Sequence, residues 1–176
     1  MELLLIRHTS VDVPPGTCYG QTDVPLKPTF EAEAAATKAL LETFGHIDAA
    51  FTSPLTRAVR LAEFCGYGDA VRDDRLREMF FGRWEMMLYD DIRGEEAERW
   101  YADYLHVATP GGEAFIDQVR RVGDFIEEIR RGPWRRVAAF AHGGVIASAR
   151  VHTGLCEAQD TFRNLIPYGG IQCFTL

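Results

Sequence analysis

Five residues that could act together in chemistry each follow a short apolar segment of the 176-residue sequence. Arg7 and His8 stand after the first such segment, Arg57 after the second, and Glu78 and His142 after two later ones. Arginine forms paired hydrogen bonds with oxyanions, a neutral imidazole is a nucleophile, and a carboxylic acid can protonate a leaving oxygen. This combination of residue types predicts phosphoryl-group chemistry, in which arginines hold the oxygens while a histidine attacks phosphorus.

Other catalytic signatures are missing from the same segments. None of them offers a Ser/His/Asp set, a G-x-G-x-x-G turn or a G-x-x-x-x-G-K-[ST] phosphate loop. A zinc site on His8 and His142 is an alternative, but the sequence lacks H-E-x-x-H and supporting cysteine or carboxylate spacing. Because arginine and histidine already supply the positive charge that a phosphate needs, we expect neither a metal nor another cofactor.

The composition narrows the class of protein. The chain has 19 basic and 26 acidic residues, and its net charge of -7 disfavours a nucleic-acid partner. No apolar run reaches the roughly 20 residues of a membrane-spanning helix, and no leader-like segment follows Met1. The four cysteines lack metal-binding or redox spacing, which is typical of reduced thiols in a cytoplasm. We therefore expect a cytoplasmic protein without a membrane partner.

Alternating strand and helix patterns must position the reactive residues. The length favours one domain over residues 1–176, and the 47% of hydrophobic residues is typical of folded domains. Apolar runs predict strands over residues 2–7, 47–51, 70–72, 136–141 and 171–176. Helical spacing predicts helices over residues 30–44, 115–131 and 144–153. A further helix is predicted from an N-cap at Ser53 to Cys65. The polar segment 88–105 also has helical spacing, with an interruption at Gly94.

This order of elements predicts an α/β fold, a three-layer α/β/α sandwich around an open and mostly parallel sheet. In such sheets, ligands bind beyond the carboxyl ends of the strands. The candidate residues lie at four of these ends, in Arg7-His8, Ser53 to Arg57, Arg77-Glu78 and His142 to Gly144. We therefore expect them to meet at one site.

Four segments resemble motifs of the histidine phosphatase superfamily (phosphoglycerate mutase-like). They occur in the family's order and span nearly the whole chain: Leu5-Ile6-Arg7-His8-Thr9, Thr52-Ser53-Pro54-Leu55-Thr56-Arg57-Ala58, Leu76-Arg77-Glu78 and Ala141-His142-Gly143-Gly144. The resemblance implies a metal-independent phosphomonoesterase in which His8 becomes phosphohistidine. It also implies that Arg7, Arg57 and His142 hold the phosphoryl oxygens, and that Glu78 acts first as general acid and then as general base.

The segment after His8 departs from the family's pattern. That pattern has Gly-Glu-Thr after the Arg-His pair and an asparagine further on, whereas this chain has Thr9-Ser10-Val11-Asp12-Val13-Pro14. The asparagine that contacts phosphate in the family is therefore missing. We expect Ser10 or Gln21 to take its place.

Two further segments resemble the α-ribazole phosphatases of cobalamin biosynthesis within that family. They are Glu78-Met79-Phe80-Phe81-Gly82-Arg83-Trp84-Glu85 and Cys18-Tyr19-Gly20-Gln21-Thr22-Asp23-Val24-Pro25-Leu26. The resemblance implies a small phosphomonoester, α-ribazole 5′-phosphate, as substrate, in contact with Gly143. Tyr19 or Trp84 would stack on its flat base, although Trp84 also fits a core position.

Two alternatives to this substrate remain open in the sequence. One is another phosphatase or mutase of the superfamily that acts on phosphoglycerate or a sugar phosphate. The other is a catalytically silent module that binds a phosphorylated ligand. The intact set of Arg7, His8, Arg57, Glu78 and His142 favours an enzyme over a silent module, whereas the altered segment after His8 keeps the second alternative open.

Overall fold

The computed structural model describes the backbone of residues 1–176 and every side chain except those of Arg163 and Asn164. The strands are β1 (Glu2–Arg7), β2 (Ala49–Thr52), β3 (Val71–Arg72), β4 (Arg136–Ala141) and β5 (Ile171–Thr175). The α-helices are α1 (Phe30–Glu42), α2 (Thr56–Cys65), α3 (Glu95–Ala102), α4 (Phe115–Arg130) and α5 (Gly143–His152). None of the described helices is long and apolar enough to cross a membrane.

The strands form one sheet in the order β3-β2-β4-β1-β5. The pairs β3/β2, β2/β4 and β4/β1 are parallel, whereas β5 runs antiparallel beside β1. In the register of the sheet, Glu2 lies opposite Arg136 of β4 and Thr175 of β5. The carboxyl ends of four strands and the amino end of β5 therefore meet at one edge. The predicted open and mostly parallel sheet is confirmed.

Helices cover both faces of this sheet. Leu4 and Ile6 of β1 pack with buried side chains of α1 and α2. Leu3 and Leu5 of the same strand pack on the opposite face with α4 and α5. All four side chains are fully buried, and a strand that is apolar on both faces is typical of the centre of a parallel sheet. The predicted three-layer α/β/α sandwich is confirmed.

Helix α4 builds one layer and also supports the site. Its buried stripe recurs at spacings of three and four residues and consists of Val122, Phe125, Ile126 and Ile129. From the same helix, Arg121 donates hydrogen bonds to the backbone carbonyl oxygens of Arg75 and Arg77, both at 2.7 Å. The segment that leads to Glu78 is therefore tied to a helix of the core.

Segment 88–105 differs from the predicted polar helix with an interruption at Gly94. It contains a 3₁₀ segment at Tyr89–Asp91 and the short helix α3 at Glu95–Ala102. Between them, Gly94 has φ 94° and ψ -178°, a conformation that residues with a side chain rarely adopt. Gly94 is therefore the cap at which α3 begins and not an interruption within a longer helix.

The predicted N-cap of α2 is wrong. The helix begins at Thr56, its cap residue is Leu55 in an extended conformation, and no side chain caps it. The Oγ of Ser53 lies instead 2.8 Å from Nε2 of His142. The serine that resembles a helix cap in the sequence is therefore part of the candidate site.

Leu61 on α2 tests the packing of the first helical layer. Its side chain is fully buried, and Leu61→Ala should lower the free energy of unfolding by about 2–5 kcal/mol because lost burial and the cavity both contribute. Leu155→Ala is the matched control, because Leu155 is 58% exposed and its loss should change stability by about 0.5 kcal/mol at most. Urea unfolding measures both variants, and equal losses would contradict this packing.

Candidate active site

The catalytic candidates lie at the sheet edge where the four carboxyl ends meet the amino end of β5. His8 follows β1, Arg57 lies in the first turn of α2, and His142 follows β4. Arg7, His8 and Glu78 line a cavity of about 240 Å³, which we call the catalytic cavity. Arg57 and His142 lie behind it and are fully buried. The structure thus brings the five predicted residues together.

His8 is held as a neutral imidazole with one free ring nitrogen. Its Nδ1 lies 2.7 Å from the backbone carbonyl oxygen of Thr9, and because a carbonyl only accepts, Nδ1 carries the hydrogen. Burial lowers the pKa of His8 well below its usual value, and the charges of Arg57 and Arg7 lower it further. Nε2 therefore carries a lone pair at neutral pH, as a nucleophile requires.

His142 is oriented by a serine hydroxyl. Its Nε2 lies 2.8 Å from Oγ of Ser53, which also accepts a hydrogen bond from the N–H of Leu55 at 3.3 Å. When the serine hydroxyl donates its hydrogen to Nε2, that nitrogen is the acceptor. The hydrogen of the neutral imidazole is then on Nδ1. Burial and the charge of Arg57 hold the pKa of His142 well below its usual value. In this arrangement, His142 is a neutral imidazole that can donate its Nδ1 hydrogen.

Two guanidinium groups complete the positive side of the site. Arg57 is 0% exposed and donates to two backbone carbonyls of the 18–26 loop. Arg7 donates to the carbonyl oxygen of Ile166, and the ring of Tyr168 covers its guanidinium group at 4.1 Å from the ring centroid. These neutral groups fix both arginines in position, and the ion-pair contact of Arg57 with Asp23 spans 4.0 Å.

Three buried N–H groups near His8 indicate an anion site. They are Nε of Arg7, Nε of Arg57 and Nδ1 of His142, and none has a hydrogen-bond partner among the described residues. A buried donor without a partner costs about 1–3 kcal/mol, so an unpaired group of this kind calls for an explanation such as a missing ligand. Two of the three donors belong to guanidinium groups, which match the oxygens of a phosphoryl group.

Glu78 is held at the wall of the catalytic cavity by three donors. Its Oε1 accepts from Nε2 of Gln118 and from the N–H of Met79, each at 2.9 Å, and its Oε2 accepts from the N–H of Gly144 at 3.0 Å. A Cβ at Gly144 would lie 2.2 Å from Oε1, which is closer than real contacts allow. The carboxyl group therefore has a fixed place from which it can exchange a proton with a bound ligand.

The two histidines alone do not form a metal centre. Their ring centroids lie 5.2 Å apart, with His8 and His142 in an edge-to-face arrangement. Within the part of the chain that the structure describes, no group of three or more His, Cys, Asp or Glu residues is arranged to hold a metal ion. The zinc alternative therefore lacks a ligand set here.

The predicted substrate contacts divide into two groups. Tyr19 and Gly143 line the catalytic cavity. Ser10 lines a neighbouring cavity instead, and Gln21 donates from Nε2 to the backbone carbonyl oxygen of Glu78 at 3.1 Å. Neither Ser10 nor Gln21 lines the catalytic cavity, so the geometry does not put either in the place of the missing asparagine.

Trp84 lies away from the catalytic cavity. It is 7% exposed and packs in a small apolar cluster with Cys18, Ile92 and Ala97. Its ring lies edge-to-face with that of Trp100, with centroids 5.5 Å apart. This placement supports the core interpretation of Trp84 and argues against its predicted stacking on a substrate.

Two residues that the sequence analysis did not single out contact the site. Tyr168 covers Arg7 because it lies just before β5, whose amino end meets the carboxyl ends of the other strands at the same sheet edge. The prediction considered only the carboxyl ends of strands. Gln118 of α4 is fully buried and donates to Glu78. A polar residue within the buried stripe of a helix is the signal that could have identified Gln118.

The protonation states of the two imidazoles can be tested by changing pH. At about pH 6 both His8 and His142 should remain neutral with the hydrogen on Nδ1, because burial lowers both pKa values. The free energy of unfolding should be highest above about pH 6.5, the pKa of an unfolded histidine, and should fall below it as only the unfolded state gains protons. Long-range ¹H–¹⁵N NMR identifies each ring nitrogen, and an imidazolium signal at pH 6 would contradict the assignment.

The hydroxyl of Ser53 should matter to catalysis through His142. Ser53→Ala removes the donor to Nε2, and kcat/KM for p-nitrophenyl phosphate should fall about 2- to 12-fold, as expected for one neutral hydrogen bond. The His142 tautomer observed by NMR should change as well. Ser148→Ala is the matched control, because Ser148 is buried on α5 and its hydroxyl has no partner among the described residues. Similar losses in both variants would argue for a packing effect.

Comparison with known proteins identifies relatives of the chain. The family model described as histidine phosphatase superfamily (branch 1) matches residues 3–175. The adenosylcobalamin/alpha-ribazole phosphatase of Escherichia coli (strain K12) is 30% identical over 162 residues, which cover 84% of this chain and 76% of that protein. Phosphoserine phosphatase 1 of Hydrogenobacter thermophilus is 29% identical over 146 residues, which cover 77% of this chain and 67% of that protein.

The fold of a solved relative agrees with this match. The crystal structure of the alpha-ribazole phosphatase from Shigella flexneri has a TM-score of 0.87 to this chain at 25% identity, and covers 98% of this chain and 89% of that one. Some relatives are longer, since the chain spans 41% of a bifunctional protein of Mycobacterium tuberculosis. Because the family model covers almost every residue, the chain belongs to the histidine phosphatase superfamily, branch 1.

Proposed function

We propose that this chain hydrolyses phosphomonoesters through a phosphohistidine on His8. The observation that carries the proposal is the set of unpaired buried N–H groups of Arg7, Arg57 and His142 beside a histidine whose Nε2 carries a lone pair. An anion that fills those three donors would have its phosphorus next to a nucleophile. The proposal requires no metal, because the donors themselves stabilise the charge that develops in the transition state.

The first step transfers the phosphoryl group to the protein. The lone pair of Nε2 of His8 attacks phosphorus while the bond from phosphorus to the leaving oxygen breaks. Glu78 in its protonated form gives its proton to that oxygen, so that an alcohol leaves. Arg7, Arg57 and His142 donate to the remaining phosphoryl oxygens throughout.

The second step returns the enzyme to its starting state. A water molecule loses a proton to the Glu78 carboxylate, and its oxygen attacks the phosphorus of phosphohistidine. The bond between phosphorus and Nε2 breaks, the electron pair returns to His8, and inorganic phosphate leaves. The donors from Gln118, Met79 and Gly144 support this proposal, because they keep Glu78 in one place for both proton transfers.

The proposed substrate is α-ribazole 5′-phosphate. Beyond Arg7, His8 and Glu78, the catalytic cavity is lined largely by aromatic and apolar side chains, namely Tyr19, Met79, Phe81, Tyr89, Phe162, Leu165 and Tyr168. This lining favours a leaving group with a flat apolar ring. Similarity to proteins named as alpha-ribazole phosphatases in Escherichia coli and Shigella flexneri supports the same choice.

Charged leaving groups fit this cavity less well. Phosphoserine and phosphoglycerate both carry a carboxylate, which requires a nearby cation. Among the described residues that line the catalytic cavity, Arg7 is the one permanent cation, and the proposal assigns it to the phosphoryl group. Similarity to phosphoserine phosphatase 1 of Hydrogenobacter thermophilus is therefore not matched by a second permanent cation among the described residues that line the catalytic cavity.

The nucleophile is tested by trapping the intermediate. Rapid alkaline quenching with a ³²P-labelled substrate should give a base-stable, acid-labile phosphoprotein. His8→Asn should abolish the label and lower kcat by at least about 10³-fold, because the reacting atom is lost. His152→Asn is the matched control, since His152 pairs with Glu127 on the outer layer and should keep both label and activity. Labelled His8→Asn protein would refute the mechanism.

The substrate is tested with a competition panel. kcat/KM for α-ribazole 5′-phosphate should exceed that for ribose 5-phosphate by about 10- to 100-fold, because stacking one base contributes on the order of 1–3 kcal/mol. Phosphoserine and 3-phosphoglycerate should be poorer still, because Arg7 is the one permanent cation among the described residues that line the catalytic cavity, and it is assigned to the phosphoryl group. A preference for either acid would contradict the ribazole assignment without affecting the phosphohistidine mechanism.

A further inference from the structure

A second cavity opens directly beside the catalytic cavity. Its volume is about 350 Å³, and we call it the outer cavity. Thr17, Tyr19, Tyr89 and Tyr168 line both cavities, so the two spaces share one wall. A ligand that passes this wall would occupy both cavities.

The shared wall is a pair of tyrosines tied to the arginines of the anion site. The hydroxyl oxygens of Tyr19 and Tyr168 lie 2.7 Å apart and form a hydrogen bond. Tyr168 stacks with Arg7 at 4.1 Å, and the guanidinium group of Arg57 lies 5.4 Å from the ring centroid of Tyr19. Both tyrosine rings are thus held beside the arginines of the anion site, and the wall between the two cavities has a fixed position.

The remaining lining of the outer cavity is flat and mostly apolar. Apart from the shared residues, it consists of Ser10, Val11, Val13, Pro14, Pro15, Gly16 and Lys27. No carboxylate occurs among the described residues that line it. Tyrosine, proline and valine side chains suit the face of an uncharged ring, and the hydroxyl of Ser10 and the ammonium group of Lys27 suit its acceptor atoms.

The sizes of the two cavities also favour an extended ligand. Ligand pockets are typically about 300–1,000 Å³, and the catalytic cavity at about 240 Å³ is smaller than that. The catalytic cavity must hold the phosphoryl group and must also place the oxygen of the leaving group within reach of Glu78. Together with the outer cavity, the space falls within the usual range.

We propose that the outer cavity is a binding site for the distal ring of the substrate's leaving group. Its ligand class is a flat heteroaromatic ring separated from the phosphate by a spacer of about the length of a pentose. The inference rests on the proposed function, which puts the phosphate beside His8. It adds that the ring passes the Tyr19–Tyr168 pair and packs against Val13 and the prolines.

Binding of two matched phosphonates tests the site without requiring turnover. 5-Phenylpentylphosphonate and pentylphosphonate carry the same anion and the same five-carbon spacer, which matches the number of atoms between phosphorus and base in a pentose 5-phosphate, and they differ only in the ring. Calorimetry should show that the phenyl compound binds about tenfold more tightly or better. Intermolecular proton NOEs should connect its ring to the methyl groups of Val13. Contacts to Leu165 or Met79 of the catalytic cavity, with none to Val13, would overturn the inference.

Filling the outer cavity gives a second readout. Val13→Trp should reduce the preference for the phenyl compound to about twofold or less, and Val13→Phe should give an intermediate value. Val71→Trp on the exposed edge strand β3 is the matched control and should keep the wild-type preference. A preference unchanged in Val13→Trp would overturn the outer site.

Turnover of the corresponding phosphate esters separates this inference from the proposed function. Hydrolysis of both esters, together with ring contacts to Val13, supports both. If neither ester is hydrolysed but the phosphonates bind with contacts to Val13, the proposed function fails and the outer site stands. Hydrolysis without a preference for the ring refutes the outer site alone.

Discussion

The site depends on one guanidinium group that is buried without a close carboxylate. Arg57 is 0% exposed, and its ion-pair contact with Asp23 spans 4.0 Å. A charge buried in this way is costly unless hydrogen bonds replace its hydration. The carbonyl oxygens of Gly20 and Thr22 provide those bonds, and because they carry no formal charge, they leave the positive charge available to an anion. The place of Arg57 therefore depends on the loop that carries these two carbonyls.

The carboxylate of Glu85 helps to fix the loop that carries the two carbonyls. Glu85 accepts from the N–H groups of Gln21 at 2.8 Å, Thr22 at 2.6 Å and Phe81 at 3.2 Å. These bonds tie the 18–26 loop to the segment that follows Glu78. The two segments that resemble α-ribazole phosphatases in sequence are therefore two halves of one hydrogen-bonded unit. A substitution in either half would change the surroundings of both Arg57 and Glu78.

Much of the site could be predicted because it follows from local patterns. Arg7 ends β1, and His8 and His142 stand directly after apolar strands. The carboxyl ends of parallel strands share one edge. The contribution of Tyr168 could not be predicted in this way, since it depends on the antiparallel pairing of β5 with β1, which is a tertiary choice. Ser53 was misread for a related reason, because a serine before a helix has the same local signature whether it caps the helix or contacts a distant histidine.

The position of β1 within the sheet has a consequence for how the protein is made. β1 lies between β4 and β5, so that Glu2 pairs with Arg136 on one side and with Thr175 on the other. During synthesis this apolar strand emerges from the ribosome well over a hundred residues before either partner, and its pairing waits for contacts of long sequence separation, which form slowly. Arg7 and His8 are translated long before β4 and β5, yet they acquire their surroundings only when those strands have emerged. Until then, β1 is an unpaired apolar segment that a chaperone could recognise.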